Sequence, residues 1–294
     1  MNIMKSKSTK LRRKLLTIAA LLLSFAIPAT FLATSPQTLA TNLAPAPKVA
    51  PKPAPKPAPK PAPRPAPTPT PAPKPKLPEI EMIRVEGGSF SMGSDDSDAD
   101  SDEKPVHSVS VSSFSIGKYE VTQKLWKAVM GSNPSHFKGD NLPVENVSWD
   151  DVQTFIRKLN QKTGKHYRLP TEAEWEFAAR GGNRSRGYKY SGSNDIGSVA
   201  WYDDNSNRKT HPVGKKSPNE LGIYDMSGNV YEWCQDWYVG IYSSYSNPKG
   251  PSTGSYRVDR GGGWYSCAGA CRVSYRFSYS PDDHYDNLGF RLAL

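Results

Sequence analysis

The feature that most restricts this chain is a tract of repeated Pro-Ala-Pro-Lys units over residues 44–78. Proline lacks an amide donor and fixes φ, so a tract this dense enters neither helix nor sheet and prefers polyproline II. At about 3.1 Å per residue it reaches on the order of 100 Å, and repulsion between its lysines keeps it extended. The tract divides the 294-residue chain into a leader and a folding part. In the leader, residues 1–43, Lys5, Lys7, Lys10, Arg12, Arg13 and Lys14 precede an apolar run at 15–33. That pattern is an export signal. It is either cleaved after Thr38-Leu39-Ala40 or retained as an N-terminal membrane anchor, since its length approaches the roughly 20 residues a bilayer requires. In either case the basic flank stays inside and the rest is sent out, so the expected location is extracytoplasmic, in the periplasm or at the cell surface. The tract is then a spacer; contact with anionic cell wall or lipid headgroups is the alternative.

A net charge of +10 suggests a nucleic-acid binder until the chain is divided. Residues 1–78 hold 13 basic residues and no acid, which leaves 25 basic against 28 acidic downstream, a net of −3. A mildly acidic domain offers no basic groove, so nucleic acid is not an expected partner. The 216 residues from 79 to 294 suffice for the core of a single domain.

Within that domain the periodicity predicts short elements. Residues 82–92 read as two short strands around Gly87-Gly88, and 106–116 as one further strand. Residues 122–130 read as a helix burying Leu125, Trp126, Val129 and Met130, stopped at Gly131. Ser148 and Asp151 form a capping box ahead of Val152, Phe155, Ile156 and Leu159, and Gly164 ends that helix. Thr171 and Glu174 form a second box. Trp175, Ala178 and Ala179 follow on one face, with Gly181 able to take the left-handed position after the helix. Beyond Gly182 the chain is rich in Gly, Ser, Asn, Pro and Tyr, a composition that holds its shape through turns. The acidic run at 95–103 lacks the glycine and distal glutamate of an EF-hand and reads as a solvated loop.

Three segments then act together: RLPTEAEWEFAARGG at 168–182, GNVYEW at 228–233 and NLGFRLAL at 287–294. In this order and at these distances the chain resembles the sulfatase-modifying-factor family, whose founding member is the formylglycine-generating enzyme. The resemblance implies an α+β domain, an irregular, loop-rich formylglycine-generating-enzyme fold related to C-type lectins, with little regular secondary structure. It also implies a calcium site at 222–233, with Asp225 and Glu232 as side-chain ligands and Gly228 and Val230 giving backbone carbonyls. Such a hard oxygen set suits calcium; a hydrogen-bonded turn without metal is the alternative. The family's second calcium site would fall at 199–211, where no ligands can be assigned.

The family's oxidase centre is a pair of cysteines separated by four residues that binds copper(I), a soft ion suited to thiolates. Here Cys271 matches the second cysteine, Ser266 stands at the first, and Cys267 comes one residue late. If the segment is extended, Cys267 and Cys271 are roughly 13 Å apart; if it makes a helical turn, they approach. Gly263 stands where the enzyme has a serine beside its oxygen site, and Tyr231 where it has a tryptophan. A disulfide between Cys267 and Cys271, or buried thiols throughout including Cys234, are structural alternatives. The five histidines show no metal spacing, and no phosphate loop is present.

The last forty residues place Trp264, Tyr265, Tyr275, Phe277, Tyr279 and Tyr285 among Ser, Asp and Asn, the composition of adaptable binding surfaces. This stretch also resembles the variable segment of retroelement-diversified lectin-fold proteins. The leading expectation is a non-catalytic or altered family member that binds a peptide, protein or surface ligand through this face, tethered to the membrane if the leader is uncleaved. The alternative is a copper-dependent oxidase, with Cys267 and Cys271 as catalytic ligands, that converts a cysteine of an exported sulfatase-like client to formylglycine.

Overall fold

The computed structural model describes residues 77–240 and 246–294. The leader and most of the proline tract lie outside them. Among the described residues no helix is long and apolar enough to cross a membrane.

The chain opens with β1 (Met82–Val85) and β2 (Gly88–Met92), as the glycine pair suggests. The single strand expected at 106–116 is two: β3 (His107–Val111) pairs antiparallel with β2, and β4 (Phe114–Gly117) with β1. The break falls at Ser112-Ser113, where the backbone passes tightly over Gly87. A Cβ on Gly87 would lie 2.7 Å from Ser113 N, so the two pairs cross where no side chain fits.

Three helices follow as their caps predict. Thr122 caps α1 (Gln123–Met130), which ends on a left-handed Gly131. Ser148 and Asp151 close the box on α2 (Trp149–Thr163), which ends on Gly164. Thr171 and Glu174 do the same for α3 (Glu172–Ala179). Against α1 and α2 stack Trp126, Phe155 and Phe290, the first two nearly parallel at 5.0 Å. A short α4 (Ile196–Val199) precedes a long irregular stretch. The last sheet has four strands in the order β7–β6–β5–β8: β5 (Tyr231–Trp237), β6 (Arg257–Arg260), β7 (Arg276–Tyr279) and β8 (Leu288–Gly289). The β5–β8 pair is parallel, and its neighbours are antiparallel. The mixed, loop-rich architecture is the fold class the sequence implies.

α3 departs from its expected one-sided burial. It is buried nearly all round, including Glu172 and Glu176. Those carboxylates are held by arginines distant in sequence. Arg276 donates to both oxygens of Glu172 at 2.7 and 3.0 Å. Arg260 and Arg180 both pair with Glu176. On the far side of α3, Trp175 Nε1 donates to Glu232 at 2.7 Å, and Arg291 grips the same carboxylate twice at 2.6 Å. The acidic run is exposed over residues 95–98 and 100–101, as a solvated loop is, but its end is structural. Its Glu103 is buried and doubly bonded by Arg272, whose guanidinium also reaches the carbonyl of Asp98. The expectation of a solvated loop overlooked this arginine, which lies 169 residues away.

Removing one partner of a buried pair leaves the other charge stranded, which costs more than the pair itself contributes. Arg272→Ala is therefore expected to lower stability by about 3–5 kcal/mol, read from urea unfolding. Asp236 supplies a pH test. One of its oxygens accepts the Glu172 amide at the start of α3, the other has no partner, and burial pushes its carboxyl up to about 8. The folded state thus holds a proton that the unfolded chain releases near pH 4, and stability falls as pH rises from 4 through 8. Asp236→Asn should raise the urea midpoint at pH 8 and lose that advantage below pH 4.

Candidate functional site

After β6 the chain turns on Gly261 and Gly262, both with positive φ. A Cβ on Gly262 would meet Cys271 Sγ at 2.7 Å, so glycine lets the backbone pass directly over that thiol. The turn presents Trp264. Its amide donates to Asn229 O at 2.7 Å and its indole to Asp286 O at 3.0 Å, tying it to both neighbouring loops. Trp264 meets Phe137 edge-on at 5.5 Å and Tyr265 at 5.1 Å. Phe277 and Tyr279 lie 5.0 Å apart, Tyr279 and Tyr285 4.7 Å, and Tyr265 is close enough to act electrostatically on both Tyr279 and Tyr285. Trp264, Tyr265, Phe277, Tyr279 and Tyr285 thus form one continuous aromatic face. Tyr265, Phe277 and Tyr285 are 49%, 37% and 43% exposed, against a fold that buries most of its large apolar side chains. Tyr275 sits deeper, beside the Arg272 guanidinium, and burial raises its hydroxyl to about 12. Tyr231 and Phe137 join this cluster. Their signal was weak because neither belongs to the C-terminal stretch.

The cysteine segment makes a helical turn over Ala268–Cys271, with Cys267 at its head. Cys267 is exposed and Cys271 buried, and neither forms a disulfide. Burial, with the neighbouring Cys267, raises the Cys271 thiol well above its ordinary value, which disfavours the thiolate a metal needs. Ser266, where the family has its first cysteine, accepts the Gly263 amide at 2.9 Å and lies beside the Tyr231 side chain. A serine hydroxyl thus occupies the first family position, while Cys267 and Cys271 stand at the two ends of one helical turn, the geometry in which they approach; no step is derived through copper(I). Cys234 lies buried within β5, remote in sequence from the pair.

The residues of the calcium motif converge. Asp225 and Glu232 are buried with Glu120, and Asn229 and Val230 both donate to Glu120. Asp225 accepts the Gly214 amide at 2.6 Å, and burial raises its carboxyl to about 6. Burial, Asp225 and Glu232 push Glu120 well up. Both oxygens of Glu232, however, are already held by Arg291 and Trp175. Gly228 takes a positive φ so that its backbone can pass Trp201 O, and its amide donates to Gly261 O. The set of Asp225, Gly228, Val230 and Glu232 therefore fits calcium only if the Arg291 pair opens, and no role is derived from the ion. Among the described residues no group of three or more His, Cys, Asp or Glu is arranged to hold a metal. At 199–211, Trp201 stacks on His211 at 3.8 Å while Asp203 and Asp204 face solvent.

This geometry agrees with the relationships of the chain. Residues 67–294 match the model of the sulfatase-modifying factor enzyme 1-like domain. The chaperone protein LppX of Paenibacillus barcinonensis is 36% identical, over 72% of this chain and 89% of its own length. The formylglycine-generating enzyme of Thermomonospora curvata is 29% identical, over 72% and 92%. The solved structure of Treponema denticola variable protein 1 superposes with a TM-score of 0.67 at 38% identity, covering 72% of this chain and 94% of that one. Some curated relatives are longer, and the chain spans 38% of their length. With the buried Trp175–Glu232–Arg291 contact joining its three signature segments, the chain belongs to the sulfatase-modifying-factor family.

Proposed function

We propose that this protein is a non-catalytic member of its family that binds a peptide or protein through the aromatic face from Trp264 to Tyr285. The observation that carries the reading is the exchange at the reaction centre. A serine hydroxyl that accepts the Gly263 amide stands where the resemblance places a copper-binding thiolate, and a contiguous aromatic surface lies beside it. Tyrosine and phenylalanine give large contact area at low conformational cost, and the rigid sheet beneath sets them in place. The similarity to a protein named a chaperone, which the chain matches over most of its length, supports a polypeptide as the ligand. The leader and the proline tract support export, with the tract holding the binding face away from a membrane surface. The ligand would then be an exported or surface-bound protein.

Two tests follow. Competition with a chromophoric chelator should show no tight copper(I) binding by the reduced protein, and Cys271→Ala should change nothing. One-to-one binding lost in that variant would restore the oxidase. For calcium, millimolar addition should leave the thermal midpoint unchanged, because Arg291 already neutralises Glu232. A rise of several degrees, removed by Asp225→Asn, would show that the ion displaces the arginine.

A further inference from the structure

Antiparallel partners in a sheet point to the same face. Asp259 in β6 is opposite Trp233 in β5 and Phe277 in β7, so its carboxyl lies on the aromatic side. Its charge is felt by Tyr231, Tyr275 and Tyr279. It is fully buried, and neither carboxylate oxygen has a hydrogen-bond partner. Arg260, next along β6, attracts Asp259 but lies on the other side of the sheet and gives its guanidinium to Glu176 and the carbonyls of Val273, Ser274 and Tyr275. From α3 the group that acts on Asp259 is Glu172, which adds repulsion. Arg257 shares the aromatic side, but it is sandwiched between Trp149 and Trp237 at 3.8 and 3.5 Å, and its charge is directed at Asp150 and Asp236.

A buried carboxylate without donors is costly, and folding retains it only where something compensates. The rings that cover it carry electronegative faces, which attract cations and do so more strongly with an anion beneath them. The sandwiched Arg257 shows the same arrangement elsewhere in this molecule. We propose that the aromatic face recognises a cationic side chain, lysine or arginine, of its peptide ligand, seated on Phe277, Tyr279 and Tyr285 with Asp259 as the counter-charge below. This rests on the binding reading above and names the chemistry of the ligand. Burial and Glu172 push the Asp259 carboxyl well up while Arg260 pulls it down; a cation above the rings adds a second pull toward the charged form.

The test is titration of the full-length protein with blocked peptides that differ only in arginine or its neutral isostere citrulline, followed by calorimetry. The arginine peptide should bind at least tenfold more tightly. Asp259→Asn should bring the ratio close to one with no fall in thermal midpoint, since it removes an unpaired buried acid. Phe277→Ala should weaken both peptides. Equal affinity in the wild type, or a preference that survives Asp259→Asn, would overturn the cation assignment. If both peptides bind equally and Phe277→Ala weakens both, the binding face stands and only the cation reading falls. If Phe277→Ala alters neither, the binding face falls as well.

Discussion

The rest of this structure hangs on the contact of Trp175 and Arg291 with Glu232. One carboxylate, fully buried, joins α3, the central strand of the last sheet and the C-terminal segment. Arg291 completes its hydrogen bonding on the carbonyls of Gly117 and Tyr224, so the guanidinium also fixes β4 and the loop before Gly228. A domain with so few long elements has limited regular packing with which to align its parts. Buried, bidentate Arg–carboxylate pairs supply direction as well as attraction. Three such acids, Glu103, Glu172 and Glu232, are held this way by arginines in the last 35 residues of the chain, and Glu176 by a single contact from Arg260. The C-terminal segment thus acts as a clasp drawn across the domain.

That clasp explains how the aromatic face is held. Arg272 and Arg276 flank Tyr275 and point inward to Glu103 and Glu172, which leaves Phe277, Tyr279 and Tyr285 directed outward. Alternation along β7 converts the buried charge pattern into an exposed ring pattern. Rigid support lowers the ordering cost of binding, because the rings need not be immobilised when a ligand arrives. With Ser266 bonded to Gly263, the thiol of Cys271 remains enclosed behind Gly262 without a second thiolate in the matching position.

Local rules made much of the fold legible. The caps at Ser148 and Thr171 and the glycine stops at 131 and 164 fall where spacing places them. What could not be read is non-local. Glu172 and Glu176 look like surface residues of a capped helix until Arg276 and Arg260 are brought to them from about a hundred residues away. The strand at 106–116 breaks because Gly87 passes beneath it, a contact between segments that no pattern within either reveals. For the site, composition identified the exposed tyrosines, but it did not single out Asp259, an ordinary acid in a short strand whose lack of partners is a property of the assembled sheet. Spacing left the cysteine segment open between two geometries, and the structure gives the helical turn, with the two thiols in different surroundings.

The central claim is that a single exchange, hydroxyl for thiol at residue 266, separates this binding face from a metal centre. Ser266→Cys, with Cys267→Ser to remove the displaced thiol, would place two cysteines four residues apart around an otherwise unchanged turn. Chelator competition on the reduced full-length protein measures the consequence. The account predicts one-to-one copper(I) binding by the variant and none of comparable strength by the wild type. Equal, tight binding by both would contradict it, because the metal centre would then already exist in this chain.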